Sequence, residues 1–140
     1  MTDLIVGVGI NHVKLGWKMT DVAVERLVEY FRVTKLSLPE LRLYYVEVPP
    51  SLSRGTSLRS CLMNRWMEDP CAEMGINVVR VPKALITEDG TYCLRPEMAV
   101  AREMGAGVPD ISKLHYNDAA RALYANNIGV TMRVASRSKM

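Results

Sequence analysis

Three side chains suited to chemistry stand out by type and position: Glu47, His115 and Asp118. Glu47 closes the run Leu41-Arg42-Leu43-Tyr44-Tyr45-Val46, and Pro49-Pro50 follows at once. Aromatic and β-branched residues fit a strand buried on both faces, and neither proline can donate to a sheet ladder, so the acid lies at the strand's carboxyl end. In open α/β sheets ligands and catalytic groups gather at that end. His115 and Asp118 are three residues apart in a stretch read as helix, a spacing that projects both from one side. Ala119-Ala120 behind them would let that helix lie close to a sheet, so the Asp118 carboxylate could approach Glu47. Carboxylates and an imidazole meeting in one cleft are groups that hold divalent ions and move protons. The plainer alternatives are a solvated acid at a strand end and a surface His/Asp pair on a helix.

The elements that must position these groups follow from pattern. Leu4 to Ile10 reads as a first buried strand, and His12 to Met19, with Val13, Leu15 and Trp17 alternating against Lys14 and Lys18, as a second strand hairpinned to it. Gly7-x-Gly9 lacks the third glycine and the following helix of a dinucleotide loop. Thr20-Asp21 offers a helix cap, and Val24, Leu27, Val28 and Phe31 keep helical spacing to Val33. A helix from Ser57 to Glu68 follows the polar loop 51–57, with Pro70 kinking or restarting it near Asp69 and Gly75 ending it. Ile76 to Val81 is a further core strand, closed by Pro82 and followed by Lys83. Asp89-Gly90 makes a turn, Glu97 to Met104 a helix ended by Gly105, and Ile111 to Asn127 the last helix, stopped by Gly129. Beyond it, Arg133, Arg137 and Lys139 form a loose basic tail.

Composition narrows the class. A chain of 140 residues with 49% hydrophobic and 24% charged residues suits one globular domain and excludes disorder as the main state. The net charge of +3 permits an acidic partner without demanding one. Cys61, Cys71 and Cys93 are odd in number and form no C-x-x-C pair, which points to reduced thiols and a cytoplasmic setting. An acid, Asp3, stands where a signal peptide is positive, and no apolar run approaches the roughly 20 residues of a membrane span, so no membrane partner is expected. Leu58, Leu62, Arg65 and Trp66 share a helix flank of a composition favoured at interfaces, and also read as core.

Taken in order, these segments resemble the ribonuclease H-like superfamily, specifically the RuvC-type Holliday junction resolvases. Gly9-Ile10-Asn11 with Gly16-Trp17 is similar to that family's strand ending in Gly-Ile-Asp; Tyr45-Val46-Glu47-Val48 resembles its central acidic strand; His115-x-x-Asp118-Ala119-Ala120 resembles its closing helix. The resemblance implies an α/β fold with a ribonuclease H-like mixed sheet flanked by helices, over residues 1–130, with 131–140 as a basic tail. It implies a metal-dependent, structure-selective endonuclease for four-way or related branched DNA, acting as a homodimer because a symmetric junction needs two cuts. Asn11, Glu47, His115 and Asp118 would be ligands to two Mg²⁺ or Mn²⁺ ions, and Lys83 would lie near a DNA phosphate. Lys14, Lys18, Arg54, Arg59, Lys83 and the tail could neutralise backbone phosphates without reading bases.

One position departs from the family. Asn11 carries a neutral amide where the family has an aspartate, and the distance to Gly16 would instead favour Gly9 as the equivalent position, with the ligand missing altogether. Either way the negative charge is absent, and a catalytically silent DNA-binding or scaffold protein on the same fold is the alternative expectation.

Overall fold

The run around Tyr44 and Tyr45 forms the central strand of a three-stranded sheet in the computed structural model, which describes residues 2–109 and 113–138. The sheet has the order β1 (Asp3–Val6), β2 (Arg42–Val46), β3 (Asn77–Val79), and both pairings are parallel. Asp3 is in register with Arg42 and Tyr44 with Asn77. The remaining elements are α1 (Ile10–Val13), α2 (Trp17–Ser37), α3 (Arg54–Met74), α4 (Asp118–Ser138) and three single 3₁₀ turns, Lys83–Leu85, Pro96–Met98 and Ala101–Met104.

Strand β2 is buried on both faces because helices cover both, as parallel sheets require. Leu43 and Tyr45 pack with Ala23, Leu27 and Phe31 of α2 and Met63, Met67 and Cys71 of α3. Tyr44 turns the other way, with Val79, onto Ala135, Ile128 and Met132 of α4. The two crossover helices thus share one face and α4 covers the opposite one. The class is α/β as expected, but the sheet is parallel among the described residues, where a mixed sheet was expected.

The hairpin is the main difference. Residues 12–19 form no strand: one helical turn, α1, and then the start of α2 replace it. Alternation misleads here because Val13 is fully buried while Leu15 and Trp17 are largely exposed, so the alternating residues never share a buried face. Helical spacing of Thr20, Ala23, Leu27 and Phe31, all buried, wins instead. Gly16 permits the restart at φ +117°, and its carbonyl accepts from both the backbone and the hydroxyl of Thr20.

Helix α3 starts earlier than Ser57, with Ser53 accepting from the Thr56 amide as its cap, and runs through Pro70 without a restart to Gly75. The helix expected over Glu97–Met104 is two 3₁₀ turns, since Ala99 between them bridges to Tyr116 and the Val100 amide donates to the His115 carbonyl. The expected start of the last helix at Ile111 lies outside the described residues. Helix α4 begins at Asp118, where the Asn117 side chain accepts from the Ala120 amide as a cap, and continues past Gly129 to Ser138. Ala120, Tyr124, Ile128, Met132 and Ala135 extend one packed stripe across Gly129, outweighing the cost of about 1 kcal/mol that glycine imposes in a helix. The basic segment from 131 to 138 is therefore helix rather than loose tail; Lys139 lies outside the described residues.

Candidate functional site at the carboxyl end of the sheet

Glu47 directly follows β2, and its amide donates to the Val79 carbonyl, prolonging the β2–β3 pairing by one residue. Its side chain is only 11% exposed. One carboxylate oxygen, Oε2, lies 3.0 Å from Nη1 of Arg80, and the other, Oε1, accepts from the Val81 amide at 2.9 Å. The same Arg80 nitrogen reaches Glu68 on α3 at 3.4 Å. Burial by itself would lower the Arg80 pKa, but hydrogen bonding and attraction from Glu47 and Glu68 more than offset it, and the guanidinium is held more firmly protonated than usual. Helix α4 joins from the other face: Tyr124 donates to the Glu47 carbonyl at 3.3 Å and Asn127 to the Arg80 carbonyl at 3.0 Å. Glu47 thus fastens the ends of β2 and β3, while Arg80 links them to α3.

A small cavity of about 140 Å³ opens beside it, lined by Gly7, Val8, Ile10, Val46, Glu47, Val48, Pro49, Tyr116 and Tyr124. Burial drives the Tyr124 phenol pKa far upward, so it stays a neutral donor.

The other expected residues do not join Glu47 at this cavity. Asn11 is exposed on the single turn of α1 rather than at a strand end. Asp118 is the first residue of α4, 98% exposed, and its partner is Arg121 at 3.5 Å. His115 precedes that helix, so the pair does not share a helical face. Its ring Nδ1 lies 2.5 Å from Oε2 of Glu103 and its amide donates to Oε1 at 2.8 Å. Lys83 is exposed on the 3₁₀ turn after β3. Gly9, the other position for the missing acid, is buried at φ +127°, and a Cβ there would lie 2.9 Å from Cε of Met63 and 3.0 Å from Cγ2 of Val48.

A pair of divalent ions needs several carboxylates from separate elements around one point. Among the described residues no three His, Cys, Asp or Glu side chains are grouped to hold a metal ion, and both Glu47 oxygens are already engaged. The described residues as arranged do not fit a two-metal centre.

Arg80, Asn64 and Glu103 are the polar residues that sequence reading passed over. Asn64, buried on α3, accepts from the Tyr45 hydroxyl at 2.7 Å and the Val48 amide at 2.8 Å and donates to the Val48 carbonyl at 3.0 Å, taking the place of a neighbouring strand. A polar residue between Met63 and Met67 on a helix face was the available signal. Glu103 is buried, which would raise its pKa, yet the hydrogen bonds from His115 outweigh burial and lower it. A carboxylate with a depressed folded pKa adds stability above its unfolded value, ordinarily 4.5, and loses it as pH falls through the folded value. Melting temperature is therefore expected to drop more steeply below about pH 4.5 in the present chain than in Glu103→Gln, as a series of thermal melts across acid pH checks.

No family model matches the chain, and no curated protein matches it significantly. No helix among the described residues is long and apolar enough to cross a membrane.

Proposed function

We propose that the chain binds branched DNA, four-way junctions foremost, as paired subunits on a RuvC-like scaffold of ribonuclease H-like type, and that as it stands it does so without cutting. The observation that carries this reading is the state of Glu47: the one acid at the central strand's end is neutralised by Arg80 and the Val81 amide, and neither Asn11 nor Gly9 brings a second carboxylate to it. Affinity comes from exposed cations such as Lys18, Lys83, Arg133 and Arg137, which suit phosphate contacts without base readout. Arg59 contributes less, because its guanidinium donates to the Val13 and Lys14 carbonyls. A reducing cytoplasm fits the free cysteines; burial raises the Cys71 thiol to about 11, which keeps it inert.

One observation favours a second reading, the metal-dependent junction endonuclease that uses Mg²⁺ or Mn²⁺. The helix that begins with Asp118 does arrive at the Glu47 end of the sheet, where its Tyr124 bonds the Glu47 carbonyl and lines the same cavity. Binding and cleavage of a synthetic four-way junction, with linear duplex as control and either metal present, separate the two. The expected result is junction binding at least about tenfold tighter than duplex, weakening steeply with salt, and no cleavage above background. Metal-dependent nicking establishes the enzyme instead, and equal affinity for junction and duplex removes both readings. Asn11→Asp is expected to leave the protein silent; a rise of about 100-fold in cutting, about 2.7 kcal/mol of transition-state stabilisation, supports the second reading.

A further inference from the structure

The outer edge of β1 is open. Along a parallel pair, alternate residues turn their main-chain groups to the neighbouring strand. The Thr2 carbonyl accepts from the Arg42 amide, so Leu4 and Val6 bond to β2, whereas Asp3 and Ile5 aim their amides and carbonyls outward. The residues expected to pair there as a hairpin, 12–19, are helical instead, and among the described residues no other strand takes their place. Soluble proteins cover or interrupt such an edge, yet β1 keeps an unbroken register and Ile5 is 39% exposed. Beside the edge a groove of about 700 Å³ runs between β1 and α2. Its floor is apolar, since Leu4 and Val6 pack there with Ala23 and Leu27. Arg26 and Tyr30, one helical turn apart on α2 and both exposed, form its rim. No acid lines the groove, and Arg26 has no side-chain partner among the described residues. Glu25 and Glu29 border the hollow on the far side of Arg26, where Glu29 is held by Arg32.

We propose that this edge takes an extended, acidic segment of a partner protein as a fourth strand. The outward amides and carbonyls of Asp3 and Ile5 supply the main-chain hydrogen bonds that hold an added strand, and the groove supplies the selectivity. Side chains alternate between faces, so the residues of the added strand that lie alongside Leu4 and Val6 enter the groove, and the one alongside Ile5 lies on the other face. The floor therefore asks for two apolar side chains spaced two apart, and Arg26 for a carboxylate on the same face. A second copy of the chain meets neither demand: its own Leu4 and Val6 already lie against its own α2, and it would bring another Arg26 to the groove. The contact asks nothing of DNA binding, and either can fail alone.

Titration of the full chain with a capped peptide, Glu-Thr-Val-Thr-Val-Thr-Glu, tests it. Its glutamates and valines share one face in extended form, and its palindromic order suits either strand direction. The peptide is expected to bind with a Kd of about 100 µM or tighter, and its lysine-for-glutamate analogue at least about tenfold more weakly. N-methylation of the three central amides removes the donors an added strand needs, and binding is expected to vanish. Arg26→Glu, a change on an exposed helix position that leaves the fold alone, is expected to reverse the preference in favour of the lysine peptide. Hydrogen exchange at the Ile5 amide is expected to slow at least about tenfold at saturating peptide. No binding of the acidic peptide up to about 1 mM, equal affinity for the methylated peptide, or equal affinity for the lysine peptide overturns the proposal. So does an Ile5 amide that becomes protected without peptide as the chain is concentrated, because the edge then belongs to a second copy.

Discussion

Replacing Gly9 with aspartate is expected to cost about 4 kcal/mol of folding stability, the largest effect of any single change considered for this protein. Two separate penalties combine. A φ of +127° is strained for any L side chain, and the new Cβ would press on Met63 and Val48 at 2.9 and 3.0 Å before the carboxylate is placed at all. Both neighbours belong to the main core, where Met63 is fully buried and overpacking displaces its contacts with β2. Domains commonly have only 5–15 kcal/mol to lose, roughly, so a urea titration should show the midpoint well below that of the present chain. Asn11→Asp, on an exposed turn, is expected to stay within about 0.5 kcal/mol. An unchanged midpoint for Gly9→Asp would mean that the 7–10 turn does not sit against Met63. The comparison also bears on function: an acid at Gly9 is barred by space, so a test of restored cutting there reads mainly the loss of fold.

The second large effect belongs to Glu47. Truncation to alanine is expected to cost about 2–3 kcal/mol, because it leaves the buried Val81 amide without an acceptor and removes the Arg80 pairing from a site that is largely desolvated on the acid's side. The Arg80 side chain is 60% exposed, so water solvates the abandoned guanidinium and holds the loss below that of a fully buried pair. Glu47→Gln keeps an oxygen for the Val81 amide and is expected to cost only about 1 kcal/mol. Chemical denaturation of both variants, paired with junction binding, distinguishes a fastening residue from a metal ligand. A fastener makes Ala far worse than Gln for stability and leaves Gln binding DNA within about threefold. A ligand reverses the emphasis: stability barely moves, and stabilisation of the present chain by added Mn²⁺ disappears in Glu47→Gln.

The strand that carries Glu47 was legible because its apolar run is continuous and Pro49-Pro50 closes it; burial on both faces follows from the same composition. Helix α3 was legible at its end, where Gly75 closes it, and less so at its start, since Ser53 caps it four residues before Ser57. The stretch from Val13 to Trp17 misled because alternation is a strand signal only when one face has something to pack against, and here α2 takes the buried positions instead. His115 and Asp118 share a helical face only if the helix already includes residue 115, and α4 begins at Asp118. Asn117 was the cap signal, and starting the helix there leaves the imidazole outside it. The partnership of Glu47 with Arg80 spans 33 residues and that of His115 with Glu103 spans 12. No local pattern announces either, since each depends on where strand ends and turns meet after folding.

The parallel sheet sets the order in which the chain can fold as it is made. Asp3 pairs with Arg42 across 39 residues, so β1 has no sheet partner until β2 has left the ribosome. At about 5–20 residues per second that wait is roughly 2–8 s, long against the microseconds in which α2 can form. During it Leu4-Ile5-Val6 is an unpaired apolar strand with no proline or lysine within it to deter another chain. A ribosome paused after β1 and α2 have emerged, but before β2 has done so, displays that strand beside a finished helix α2. Pausing there, more than pausing anywhere later, exposes nascent copies to pairing with one another, and chaperone engagement is expected to concentrate on that length of chain.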